Sequence, residues 1–190
     1  MIFLASTSTR RKKILKDLGV AFKTLRPNYD ERQSVEATRR VASTPSAFVK
    51  KHAFAKAVSC VSKIKEGVIL GSDTIVYCDK KIMGKPKNRA DAFKILGCLQ
   101  GRWHEVYTGV ALLNVRDHKI REKKIFMEKT KVRLRPMGYL EIRRYFKKID
   151  PLDKAGAYAI QSKQSGIITD IKGSLSNAIG LPVERLKNYL

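Results

Sequence analysis

Residues 67–86, GVILGSDTIVYCDKKIMGKP, set the strongest constraint on the fold. Val68, Ile69, Leu70, Ile75 and Val76 form the most apolar run of the chain and read as a buried strand. Asp73 stands in its middle. The chain holds 17 Asp plus Glu against 40 Lys plus Arg, a formal net charge of +23. Acid is scarce, and its placement inside an apolar strand requires a reason.

The surrounding chain predicts alternating elements. Residues 1–5 are a strand candidate, followed by a helix capped by Ser8 or Thr9, with Ile14, Leu15 and Leu18 on one face and Gly19 as its stop. Residues 20–25 predict a second strand. The polar stretch 27–43 reads as an extended loop carrying Asp30 and Glu31. Thr44-Pro45 is a helix start, with proline at the first helical position and a helix expected to about Ser62, its apolar spacing carried by Phe54, Val58 and Val61. A turn at Asp79-Lys80 leads into a short strand over 81–83, and Asn88 caps the next helix. Residues 103–115 and 119–135 predict a β-hairpin. Residues 137–148, with Leu140, Ile142, Tyr145 and Phe146, predict an amphipathic helix, and Pro182 opens a C-terminal one. This order argues for an α/β fold with a mixed sheet.

At 190 residues and 43% hydrophobic content, the chain is long enough for a sizeable core and fits one large domain or two small lobes. No apolar run approaches a membrane span, and residues 1–5 are too short for a signal peptide. Cys60, Cys78 and Cys98 are odd in number and widely spaced, which argues against a disulfide framework or cysteine-bound zinc and for a reducing cytoplasm. The positive field attracts polyanions: nucleotides, nucleic acid or an anionic membrane surface. Part of the excess is regional, since residues 116–148 carry 13 Lys plus Arg against four Asp plus Glu, a net of +9.

Three motifs carry chemistry. In LASTSTRR, residues 4–11, a strand enters a small-hydroxyl loop that opens a helix with Arg10 and Arg11 in its first turn. Backbone N–H groups, the Ser6 and Ser8 hydroxyls and two guanidiniums can converge there on an anion. A serine-capped helix with solvated arginines is the plainer alternative. In GSDT, residues 71–74, small residues flank Asp73. That carboxylate can hold a divalent metal or take a proton from water, or it can be a strand-end aspartate making one salt bridge. In GKP, residues 84–86, Lys85 lies between two backbone-restricting residues and can neutralise a phosphate. Lys56 in AFAKA has small neighbours that let its helix pack close to the site. His52, His104 and His118 have no mutual ligand spacing, and no Ser-His-Asp signature is present.

LASTSTRR, Asp30-Glu31, AFAKA, GSDTIV, GKP, GRWHEVYTGVAL, DPLDKAGAYAIQ and GSLSNAIGLP occur in the order seen in Maf proteins, and the chain resembles that family over nearly its whole length. The resemblance implies a nucleoside triphosphate pyrophosphatase with an inosine-triphosphatase-like fold. That fold is a mixed, strongly twisted β-sheet flanked by helices, in an elongated two-lobed body with a central cleft, and it implies a single domain over residues 1–190. It implies dependence on Mg²⁺ or Mn²⁺, a homodimer, removal of modified or excess nucleotides, and a link to cell division. Position by position it implies an anion site at Ser6, Arg10 and Arg11, with Lys56 and Lys85 as further phosphate-binding residues. It implies Asp73 as the catalytic carboxylate and Glu31 with Asp73 as metal ligands. Gln161 matches the branch preferring dTTP and UTP, and an amide can pair with a pyrimidine edge. Thr74 is expected to shape the base pocket. The chain departs from the family pattern at Thr9, where proline is usual, at Trp103 and at Leu175; the last two are expected near the base.

The mechanism implied is attack of a water activated by Asp73, with Arg10, Arg11, Lys56 and Lys85 offsetting the developing charge. Two rival readings are a basic nucleic-acid binder using residues 116–148 and a nucleotide-binding regulator that does not hydrolyse.

Overall fold

The computed structural model describes residues 1–29, 44–160 and 166–189. Its strands are β1 (Ile2–Ala5), β2 (Phe22–Leu25), β3 (Glu66–Cys78), β4 (Lys81–Met83), β5 (Trp103–Arg116), β6 (Lys119–Leu134) and β7 (Ile168–Lys172). They form one open seven-stranded sheet in the order β2-β1-β3-β5-β6-β7, with β4 pairing β3 beyond the end of β1. β1 runs parallel to both β2 and β3, while the other pairings are antiparallel, so the sheet is mixed as expected.

The helices are α1 (Thr9–Asp17), α2 (Pro45–Val58), α3 (Arg89–Leu99), α4 (Tyr139–Lys148), α5 (Leu175–Ile179) and α6 (Val183–Leu186). Strand periodicity sorts them onto opposite faces. Leu4, Leu70 and Leu112 pack with Ile14 and Leu15 of α1 and Leu186 of α6. Their neighbours Ala5, Ile69 and Leu113 face Ala53 and Ala57 of α2. A third cluster joins α3 and α4 to Val106, Val132 and Leu134. Among the described residues no helix is long and apolar enough to cross a membrane.

Two helices differ from their sequence expectation. α2 ends at Val58, with a separate 3-10 turn over Val61–Lys63. Its core face is not Phe54, Val58 and Val61 but two i, i+4 rows, Phe48–His52–Lys56 and Val49–Ala53–Ala57. The sheet selects this face because its small residues admit close approach. α4 begins at Tyr139 with Gly138 as N-cap, and Leu140 is exposed; Ile142, Tyr145 and Phe146 are the buried residues. Helical spacing sets 142, 145 and 146 on one stripe and turns 140 away.

The topology explains Asp73. β1 pairs with β3 only as far as Ala5↔Gly71, and β4 begins only at Val76↔Met83. On that side, β3 residues 72–75 have no strand partner among the described residues, although β5 pairs them on the other side. Asp73 therefore lies in the middle of a 13-residue strand, not at its end, yet opposite a notch between two departing neighbours. Such switch points are where open α/β sheets bind ligands.

Candidate active site

The notch opens into a cleft of about 960 Å³. Its walls come from the loop between β1 and α1, the chain after β2, α2, the middle of β3, the β4–α3 loop and residues 152–160. Ser6, Arg10, Arg11, Lys56, Asp73, Thr74 and Lys85 all line it, so the structure brings these sequence-predicted residues together. Glu31 and Gln161, the predicted metal ligand and base-selecting amide, lie outside the described residues. Trp103 and Leu175 do not line the cleft. Trp103 stacks under the Lys172 ammonium at 5.1 Å, and the side chain of Leu175 is largely exposed. Both departures from the family pattern therefore fall away from the site, against expectation.

Lys56 reaches the floor of the cleft because α2 lies directly on the sheet backbone. A Cβ at Gly71 would stand 2.3 Å from the Ala53 carbonyl oxygen, and one at Gly109 the same distance from that of Val49. Only glycine permits this approach. The Lys56 Nζ then donates to Asp73 Oδ1 at 2.6 Å, with side chains 5% and 13% exposed. Among the described residues the second carboxylate oxygen has no hydrogen-bond partner. In the same helix row, Phe48 stacks on His52, whose Nδ1 lies 2.7 Å from the Tyr29 hydroxyl.

The anion loop is built as its residue types suggest. Ser8 caps α1, its hydroxyl accepting from the Arg11 N–H, and the Ser6 hydroxyl accepts from the Ser8 N–H at 3.2 Å. The two arginines differ. Arg11 is buried, and its guanidinium donates to the Gly180 carbonyl (2.9 Å), Ser6 Oγ (3.3 Å) and Thr74 Oγ1 (3.0 Å). Arg10 is half-buried and grips Asp153, through Oδ2 at 2.8 Å and the carbonyl oxygen at 2.9 Å.

Several neighbours of the site carried no role in the sequence. Thr74 Oγ1 lies 3.0 Å from Thr108 Oγ1, which donates to the Asn177 carbonyl. The Asn177 amide donates to Thr130 Oγ1, which donates to the Ser174 carbonyl. Ser72 joins Arg11 on the Gly180 carbonyl. Hydroxyls from β3, β5 and β6 thus seat α5 behind the cleft. Tyr158 lines the cleft, and its hydroxyl lies 2.6 Å from His104 Nε2. Burial pushes the His104 imidazole down to about 4 and the Tyr158 phenol up. Asp153, beside Arg10, is shifted upward by burial, but hydrogen bonds from Lys154 and Arg10 outweigh this and hold its carboxyl below the ordinary range. GRWHEVYTG, DPLDKAGAY and GSLSN signalled these residues as motifs, but motif order alone does not reveal which side chain meets which.

Among the described cleft residues, seven are cationic (Arg10, Arg11, Arg26, Lys56, Lys85, Lys87 and Lys154) and two, Asp73 and Asp153, are carboxylates. Such a lining suits a polyanion of several charges. No group of three or more His, Cys, Asp or Glu side chains converges among the described residues. That donor set fits Mg²⁺ better than a caged metal, because Mg²⁺ is ordinarily held by one or two carboxylates together with substrate phosphates.

An open mixed sheet with a cationic cleft at its switch point, and a lysine-held aspartate on the cleft floor, defines an α/β protein built to handle a phosphorylated ligand. The chain matches the model of the Maf-like protein family over residues 1–190 and belongs to that family. It is 39% identical over 189 residues to the dTTP/UTP pyrophosphatase of Dictyoglomus thermophilum, covering 100% of this chain and 94% of the relative. It is 40% identical over 189 residues to that of Carboxydothermus hydrogenoformans, covering 100% and 96%. Among solved structures, the Staphylococcus aureus Ham1 protein shares the fold with a TM-score of 0.54 at 15% identity, covering 99% of this chain and 96% of that one.

Proposed function

We propose that this chain is a nucleoside triphosphate pyrophosphatase acting on dTTP and UTP, releasing the monophosphate and pyrophosphate. The observation that carries this reading is the Lys56–Asp73 pair on the floor of a cleft whose other described ionised groups are mainly cations. The names of the relatives, at 39% and 40% identity over the full chain, support the same reaction and base preference.

Lys56 fixes one oxygen of Asp73, and the other faces a cleft in which it can accept the proton of an attacking water. Water adds to phosphorus, the bond between the α-phosphorus and the bridging oxygen breaks, and pyrophosphate leaves. Arg10, Lys56 and Lys85 meet the charge that builds on the phosphate oxygens, and Arg11 braces the anion loop from its buried seat while adding its own charge. Catalysis is then mostly positioning plus electrostatics. Mg²⁺ or Mn²⁺, held by Asp73 and Glu31, supplies charge neutralisation and polarisation of a phosphoryl oxygen when bound. Thr74 and Gln161 select the base. The overall charge of +23 steers nucleotides to the cleft.

The test is a panel of canonical and modified triphosphates assayed for pyrophosphate release with Mg²⁺ and with Mn²⁺. Turnover is expected on dTTP and UTP and is lost with a chelator. Absence of pyrophosphate from every triphosphate with either metal overturns the reading.

A further inference from the structure

Residues 150–158 form a strap along one wall of the cleft. The strap is held by its own turn: the Leu152 N–H donates to Asp150 Oδ1, and the Lys154 N–H to the Pro151 carbonyl. Lys154 Nζ bonds the Asp150 carbonyl oxygen at 2.8 Å and one oxygen of the Asp153 carboxylate. The other carboxylate oxygen and the Asp153 carbonyl receive both Nη groups of Arg10.

Further along, the Gly156 N–H donates to the Gly84 carbonyl at 3.2 Å, next to Lys85. Gly156 (φ +74) and the buried Ala157 (φ +62) both lie in the left-handed region, and a Cβ at Gly156 would stand 2.7 Å from Val76 Cγ2. A non-glycine residue holds such a backbone, as Ala157 does, only where the surroundings over-determine it. Tyr158 and Ala159 complete the anchoring, through His104 and through an N–H bond to the Tyr145 hydroxyl. The strap therefore grips Arg10 in the first turn of α1 at one point and the backbone beside Lys85 at another.

We propose that Asp153 is a positioning residue: it sets the plane and reach of the Arg10 guanidinium against the triphosphate, and the strap references Arg10 and Lys85 to one frame. Two of the five N–H groups of Arg10 are spent on Asp153, and among the described residues the other three remain to meet phosphate oxygens. Because a guanidinium is planar, fixing both Nη atoms fixes the directions of the rest. Asp153 thus works through Arg10 without displacing the ligand. This rests on the pyrophosphatase reading for its substrate and on the geometry alone for the coupling.

The experiment is a double-mutant cycle of Asp153→Ala and Arg10→Ala, with Asp153→Asn as the conservative variant that retains an acceptor. KM and kcat are measured on dTTP, and Kd on a thymidine triphosphate analogue whose α–β bridging oxygen is replaced by an imido group. Asp153→Ala is expected to raise KM and Kd about tenfold, the scale of one charge-assisted hydrogen bond, and to lower kcat as well, because Arg10 also meets charge that builds during the reaction. Asp153→Asn should recover most of this loss, and in the Arg10→Ala background Asp153→Ala should change Kd less than about twofold. Equal losses in both backgrounds, or an unchanged Kd in Asp153→Ala, overturn the proposal. Should Asp153→Ala not fold, the cycle is run with Asp153→Ser, whose side chain is too short to hold the guanidinium; a Kd loss that vanishes without Arg10 supports the role, and an additive loss or none overturns it. A wild type that binds the analogue without hydrolysing any triphosphate overturns the function while the cycle still judges Asp153.

Discussion

Lys56 Nζ and Asp73 Oδ1 stand 2.6 Å apart across the interface of α2 and β3, both nearly sealed from solvent. Removing Lys56 takes from the Asp73 carboxylate its one ion-pair partner among the described residues, which costs on the order of 3 kcal/mol. Lys56→Met should lower the urea unfolding free energy by about that much, and the double variant Lys56→Met/Asp73→Asn should recover part of it. Asp73→Asn should keep the fold and reduce pyrophosphate release at least about 100-fold, the low end of general-base contributions. Wild-type turnover in Asp73→Asn removes the assigned base.

Gly109 is the seat of α2, and an added methyl there meets the Val49 carbonyl carbon at 2.4 Å as well as its oxygen. Both neighbours are backbone, so the helix must move. Gly109→Ala should destabilise by about 3 kcal/mol, the upper range for overpacking, and should reduce kcat by carrying Lys56 away from Asp73. Urea midpoints and turnover measured together test this, because a loss of stability with kcat unchanged would show that the helix shift does not reach the ion pair.

The buried His104 gives stability a pH dependence with a definite sign. In the folded protein burial holds its titration down at about 4, below the ordinary 6.5. In the unfolded chain it takes up a proton below 6.5, so the unfolded state binds more protons between these values and stability falls as pH falls through that window. At about 1.4 kcal/mol per pKa unit, the wild type should lose about 2 kcal/mol between pH 7 and pH 5. His104→Gln should lose far less over that interval in urea titrations. Asp153, held low by its partners, contributes its loss only below about pH 4.

Arg11 ties the anion loop, β3 and the chain after α5 to one guanidinium. Lysine keeps the charge but not the fork. Arg11→Lys should cost about 2 kcal/mol in unfolding free energy, since a buried carbonyl and hydroxyl lose their charged donor, and should raise KM for dTTP. An unchanged melting temperature would contradict the bracing role.

Local rules written in the sequence decided much of this protein. Continuous apolar runs around Leu4, Ile69, Leu70 and Leu113 marked strands buried on both faces, and Ser8, Thr44 and Asn88 determined where three helices begin. Motif order pointed to the family and to Ser6, Arg10, Arg11, Lys56, Asp73, Thr74 and Lys85. Everything that depends on which surfaces meet was left to the tertiary structure. The core face of α2 is not legible in its own segment, because the close contact at Ala53 and Val49 is set by Gly71 and Gly109, far along the chain. The mid-strand place of Asp73 was legible, but the notch beside it was not, because that notch is made by β1 stopping and β4 starting, neither of which is adjacent to it in sequence. The partnership of Arg10 with Asp153 joins residues 143 apart. Spacing within one segment records the hydrogen bonds and periodicity of that segment alone; the pairing of charges across a cleft is fixed only when the sheet brings distant segments together.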